Sequence, residues 1–268
     1  MSSKTKGDKG IMKIASFNAN SIRARLPIIV DWLAAQGPDV LCVQETKVQD
    51  PDFPQQAFQD QGYHCTFFGQ KSYNGVAILT QRLPTAVVSG LQDDSRDEQA
   101  RFLSVDIDGL TVVNTYIPQG QDPDAEQFQY KLTWFERLKA YFESNCDPGK
   151  PLLWVGDFNV APEPIDVYDP DKLAGSVGYH PAEHKALQAV MDWGFVDVYR
   201  RHNPDEQVYT FWDYRIPNAV KRGLGWRIDH ICATRALADR STSAWIDVAP
   251  RLLPRPSDHT FIVAEFNL

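Results

Sequence analysis

In "PLLWVGDFNVAP", residues 151–162, an apolar run through Val155 gives way to Gly156, Asp157 and Asn159 before Ala161-Pro162 ends anything regular. A carboxylate and an amide at the mouth of a buried strand must be hydrogen-bonded, solvated or chemically employed. The pattern recurs along the chain. Asn18 and Asn20 close "IASFNAN", Gln44-Glu45 close "DVLCVQE", Asp229 lies within "WRIDHICA", and Ser257-Asp258-His259 precede the last apolar run. Each alone reads as a turn former or cap. His64, His180, His184, His202 and His230 read as ordinary hydrogen-bonded histidines. His259 differs, because Asp258 adjoins it and Asp229 precedes a strand segment that could face it.

The joint set of two Asn, one Glu, three Asp and one His suits one kind of chemistry. A hard divalent cation prefers oxygen ligands and takes few of them from protein, keeping waters and a substrate phosphate. Glu45 with Asn18 suits such an ion. Phosphodiester hydrolysis also needs an oriented water, charge neutralisation on the phosphoryl oxygens and a stabilised leaving oxygen. Asp157 can position or deprotonate water, and Asn159 can hold the carboxylate or a phosphate oxygen. His259, oriented by Asp229, can bind a phosphoryl oxygen or exchange a proton. The chain carries no GxSxG nucleophile motif and no P-loop.

Rigid elements must present these groups. "MKIASFNAN" (12–20), "RLPIIVDWLAAQG" (25–37) and "DVLCVQE" (39–45) read as strand, helix and strand, a right-handed βαβ unit with parallel strands. Strands are expected at 63–69, 75–81, 101–108 and 110–118, then a long helix over 125–144 with Phe128, Leu132, Phe135, Leu138 and Phe142 on one face. The second half echoes the first, with strands at "PLLWVGDFN", 226–234 and 260–267 and a helix over 183–194. Mixed strands with few helices predict an α/β, four-layer sandwich: two packed mixed sheets flanked by helices. Ligands in such folds gather at strand ends, where the polar residues stand.

The 268 residues, 43% hydrophobic and 23% charged, are enough for one large domain, expected over 12–268. The polar, lysine-rich start reads as a disordered tail over 1–11 and not as a secretory signal. Cys42, Cys65, Cys146 and Cys232 show no zinc or CxxC spacing, which fits a reducing cytoplasm. No apolar run approaches a membrane span, so no membrane partner is expected. The net charge of −8 argues against a sequence-tolerant nucleic-acid coating protein but leaves room for a local basic groove.

The motifs "SFNANSIRAR", "VQETK", "NGVAILT", "TYIPQG", "WVGDFNVAP", "FWDYR", "GWRIDHI" and "PSDHT" occur in that order. Together they resemble bacterial exonuclease III, the class II apurinic/apyrimidinic endonuclease family of the endonuclease/exonuclease/phosphatase superfamily. The resemblance runs from about Met12 to Leu268. It implies a Mg²⁺-dependent DNA-repair phosphodiesterase, with Mn²⁺ as a substitute. Such an enzyme incises duplex DNA 5′ to abasic sites and processes 3′ ends as a 3′→5′ exonuclease, 3′-phosphatase and 3′-phosphodiesterase in base excision repair, and it is expected to be a monomer.

By motif, the resemblance assigns Asn18, Glu45 and Asp258 to the metal and Tyr116 to a phosphate. Asp157 and Asn159 correspond to a water-orienting pair, and Asp229 and His259 to a carboxylate–imidazole pair. Phe211, Trp226 and Ile228 resemble an apolar pocket for a flipped, base-free sugar, with Trp212 lining it alongside. Gln119, Lys47 and Arg227 complete the expected substrate contacts. Arg23, Arg25, Lys47, Lys71, Arg222 and Arg227 are expected to form a basic rim. Asn74 and "GSVGYHPAEHKAL" (175–187) depart from the family's usual pattern. Two alternatives stay open: a superfamily phosphatase for inositol phosphates or phospholipids, and a non-catalytic nucleic-acid-binding homologue.

Overall fold

A computed structural model of the chain describes residues 10–93, 95 and 97–268. Most of the expected tail, residues 1–9, lies outside the described residues. Ile11, placed at the inner end of that tail, pairs instead with Asn267 in the first strand.

The described residues form twelve strands and seven α-helices. The first half contains β1 (Ile11–Asn18), α1 (Ile22–Gln36), β2 (Val40–Gln44), α2 (Gln55–Gln59), β3 (His64–Phe68), β4 (Val76–Thr80), β5 (Ala86–Ser89), β6 (Phe102–Ile107) and β7 (Leu110–Tyr116). Then follow α3 (Glu126–Asn145), β8 (Leu152–Asp157), α4 (Pro170–Leu173), α5 (Pro181–Met191), β9 (Phe195–Asp197) and α6 (Val198–His202). The chain closes with β10 (Asp229–Thr234), α7 (Arg235–Ala238), β11 (Ser241–Asp247) and β12 (Phe261–Asn267). One sheet runs β11-β12-β1-β2-β4-β3 and the other β5-β6-β7-β8-β10-β9. Each is mixed. β1–β2 and β7–β8 are parallel, crossed by α1 and α3, and their neighbours are antiparallel.

Alternation along the strands builds the layers. In β1 and β2, Ile14, Val40 and Cys42 face the other sheet's Val105, Val112, Leu153, Val155 and Ile231. Ala15, Phe17, Leu41 and Val43 face Ile29, Trp32 and Leu33 of α1. In the second sheet, Val113 and Trp154 face Phe135 and Leu138 of α3 and Leu187 of α5. Strands covered on both faces read as continuous apolar runs, which is why a polar residue at a strand end stands out. The two sheets share one core cluster. Among the described residues no helix is long and apolar enough to cross a membrane.

The elements differ from expectation at their edges. α1 begins at Ile22, a turn before Pro27. That turn is anchored from outside the helix: Ser21 and Ile22 donate backbone N–H bonds to Glu45 and Thr46 carbonyls at 2.9 and 3.1 Å. β10 begins at Asp229, because Trp226 pairs with Phe211 and so leaves the sheet. β5 and β11 went unread in the sequence, since half-exposed edge strands carry little apolar pattern.

Candidate active site

The polar strand ends meet at one end of the two-sheet stack. β1 and β2 deliver Asn18 and Glu45 from one sheet, and β7, β8 and β10 deliver Tyr116, Asp157 and Asp229 from the other. Two cleft residues sit in the left-handed backbone region, Glu45 at φ 50° and Asn159 at φ 52°. Non-glycine residues rarely adopt it, and here it turns the chain sharply out of each strand. Gly156 is required beside Asp157: at φ 140°, a Cβ there would come 2.0 Å from the Thr115 carbonyl oxygen of β7.

Asp157 is buried and both of its oxygens are held. Oδ1 accepts from the Asn159 backbone N–H at 2.8 Å. Oδ2 accepts from Asn18 Nδ2 at 2.8 Å and Asn159 Nδ2 at 3.3 Å. His259 places Nδ1 2.7 Å from Asp229 Oδ2 and Nε2 3.8 Å from Asp157 Oδ2. Burial and the neighbouring Asp229 charge push the Asp157 carboxyl above its usual range, while His259 opposes them. Burial would lower the His259 imidazole, but the charges of Asp229 and Asp157 outweigh it and raise it to about 10. Burial, with Glu45 and Asp157 nearby, keeps the Tyr116 phenol protonated. The Arg101 guanidinium lies 4.7 Å from that ring's centroid.

These groups open into a cleft of about 770 Å³ lined by Glu45, Tyr116, Gln119, Asp157, Asn159, Asp258 and His259. Its apolar wall is Phe211, Trp226 and Ile228, with Gly178 against the Trp226 ring. Phe211 packs on His259 with ring centroids 4.9 Å apart.

Several expected roles do not match the geometry. Trp212 is 3% exposed and packs with Tyr209 and Ala219, away from the cleft. Arg227 is 1% exposed and bonds Asp166, Asp197 and His230, so it cannot reach a substrate. One cause explains both. Successive side chains of extended segments point to opposite faces. With Phe211, Trp226 and Ile228 facing the cleft, Trp212 and Arg227 face away. The expected basic rim thins accordingly. Arg25 reaches Tyr214 at the cleft edge, but Lys47 is paired 2.8 Å from Glu45 Oε2.

Asn18 Nδ2 bridges Glu45 Oε1 and Asp157 Oδ2, while its Oδ1 accepts from the Asn20 N–H at 2.9 Å, so the amide holds the two carboxylates together. Among the described residues, Glu45, Asp157 and His259 bring candidate ligand atoms within 4.8 Å of one another. Asp258 lines the same cleft outside that trio, accepting from Asn20 Nδ2 at 2.9 Å.

Sequence reasoning missed Asn114. From β7 it donates to the Val43 and Ala77 carbonyls of the other sheet and accepts from Gln44 Nε2 at 2.7 Å. This polar strap fixes the two sheets against each other just below Glu45 and Tyr116. Its signal was an Asn interrupting an apolar run. Tyr168 and Val177 also line the cleft, and nothing in their local sequence marked them.

Residues 15–259 match the model of the Endonuclease/Exonuclease/phosphatase family. An exodeoxyribonuclease III of Haemophilus influenzae is 34% identical over 268 residues, covering 96% of this chain and 100% of the relative. Among solved structures, an AP endonuclease from Archaeoglobus fulgidus is 47% identical with a TM-score of 0.93, covering 96% of this chain and 100% of its own. A 3′ phosphatase from Neisseria, solved bound to a product DNA hairpin, is 37% identical with a TM-score of 0.92 over the same shares.

Proposed function

Because the chain belongs to the endonuclease/exonuclease/phosphatase family, we propose that this cleft hydrolyses phosphodiesters of damaged duplex DNA, 5′ to abasic sites and at blocked 3′ ends. The carrying observation is Asp157, held through both oxygens with His259 Nε2 3.8 Å away, at the base of a cleft with an apolar wall. Relatives along nearly the whole chain are an exodeoxyribonuclease III and an AP endonuclease, which favours DNA over inositol phosphates and an enzyme over a non-catalytic module.

In this reading Asp157 orients and deprotonates the attacking water, and Asn159 and Asn18 hold its carboxylate. His259, kept in place by Asp229, donates to a phosphoryl oxygen as charge develops there. The protonated phenol of Tyr116 donates to the same phosphate. Phe211, Trp226 and Ile228 receive the base-free sugar. An abasic nucleotide has no base to unstack, so it is extruded more cheaply than an intact one.

The donors fit a hard divalent cation. Carboxylates of Glu45, Asp157 and Asp258 line the cleft, and oxygen donors suit such an ion. Glu45, with Asp258, would hold Mg²⁺ or Mn²⁺. When bound, the ion supplies neutralising charge to the phosphoryl oxygens. The proposal extends to a monomer working in the cytoplasm, where its four free thiols would stay reduced.

The test is incubation with two duplexes, one carrying a single tetrahydrofuran abasic analogue and one a 3′-phosphate, with and without Mg²⁺. Incision 5′ to the analogue and loss of the terminal phosphate are expected, both only with metal. An intact abasic duplex under all conditions would overturn the reading.

A further inference from the structure

Lys131 and Glu183 form an ion pair in which both side chains are 0% exposed. Lys131 lies on the apolar face of α3 and Glu183 in the first turn of α5. Their remaining contacts are all to backbone of the cleft wall. Lys131 Nζ donates to the carbonyls of Asn159 at 2.7 Å and Gln119 at 3.3 Å as well as to Glu183, which uses its three donors. Glu183 Oε2 accepts the N–H groups of Gly178 at 2.8 Å and His180 at 3.1 Å. The wall closes on itself through the Ala161 N–H to Gly178 carbonyl bond at 2.8 Å.

One buried pair thus ties together the loop after Tyr116, the loop after Asp157 and the turn that brings Gly178 against Trp226. A buried ion pair is seldom more stabilising than apolar residues of the same volume, so stability alone does not explain it. Its reach explains it better. Asn159 holds the Asp157 carboxylate, while Gln119 and Gly178 line the cleft. Groups that orient reacting residues from outside contact lose activity when removed, though they touch no substrate.

We infer that Lys131 and Glu183 are positioning residues that fix three segments of the cleft wall in their reactive arrangement. The inference rests on the phosphodiesterase reading of the same cleft. It predicts that removing the pair loosens residues 117–120, 158–161 and 176–180 together while leaving the sheets in place.

The test compares wild type, Glu183→Gln and the double variant Lys131→Met/Glu183→Gln, which leaves no unpaired buried charge. Glu183→Gln retains an acceptor for Gly178 and should slow single-turnover cleavage of the abasic-analogue duplex only a few-fold. The double variant should slow it about 10–100-fold, with DNA affinity little changed. Amide hydrogen exchange should rise in the three wall segments and not in β1, β8 or β12. A folded double variant with wild-type exchange in those segments would overturn the inference, and so would wild-type cleavage. A double variant that fails to fold would also overturn it, making the pair a requirement of the fold. If wild type does not cut the duplex, the phosphodiesterase reading fails, while the exchange result still decides the positioning role.

Discussion

Asp229 stands directly opposite Asp157 across the antiparallel β8–β10 register. Like charges in that relation repel, and both carboxylates are buried. His259 relieves the repulsion, bonded to Asp229 and 3.8 Å from Asp157. One oxygen of Asp229 remains buried without a hydrogen-bond partner. A sheet would not keep this arrangement for stability, which makes it the natural place to separate catalysis from folding.

Asp157→Asn keeps the side-chain shape and removes its charge. Single-turnover cleavage of an abasic duplex should fall about 10²–10⁴-fold. Binding should stay within roughly tenfold, because phosphate contacts elsewhere position the DNA. The variant should still fold with a cooperative melt, although its amide N–H₂ then faces a donor from which Asp157 had accepted. A near-wild-type rate would remove Asp157 from the chemistry.

His259→Ala should lose rate over a similar range, about 10²–10⁴-fold, while Asp229→Ala should lose less. The first removes the donor, and the second leaves an imidazole that Phe211 still packs against. Equal losses in parallel single-turnover measurements would mean that Asp229 does more than orient the ring.

Chelation tests the cation reading. EDTA should abolish cleavage, Mg²⁺ or Mn²⁺ should restore it, and Zn²⁺ should do so poorly, because the site offers oxygens and no thiolate. Glu45→Gln should raise the Mg²⁺ concentration needed for half-maximal rate. Full activity in excess EDTA contradicts all of this.

Arg227 is expected to matter for stability and not for substrate. Arg227→Met takes away the cation shared by buried Asp166 and partly buried Asp197 and leaves Asp166 with Arg200 alone, a loss of about 3–5 kcal/mol at neutral pH. Burial raises the Asp197 carboxyl, but Arg227 outweighs it and holds it well below the usual range. A carboxyl depressed in the folded state stabilises above its unfolded value of about 3.9 and loses that contribution as pH falls. The melting-temperature gap between wild type and variant should therefore narrow from pH 6 to pH 3. A constant gap would show that the charge pairing contributes little.

The sequence by itself determined which residues could do chemistry. Long apolar runs must be buried on both faces, so Asp157, Glu45 and Asn18 at their ends could only be caps or working groups, and mixed strands with few helices pointed to two packed sheets. The parallel β1–α1–β2 unit and the apolar face of α3 were equally legible, because period-two and period-3.6 patterns follow from local geometry. Tertiary structure alone decided which side of a short extended segment meets the cleft. Phe211 and Trp212 are adjacent and both aromatic, and only the pairing of 211 with Trp226 and His259 sends one in and one away. The same applies to Arg227 between Trp226 and Ile228, and to Lys131, a cation on an apolar helix face. Its partners Asn159, Gln119 and Glu183 lie on three separate segments, and their convergence depends on how the sheet and helices pack. Local sequence encodes the period of an element. The side that is buried, and what it meets there, depends on contacts between residues far apart in the chain.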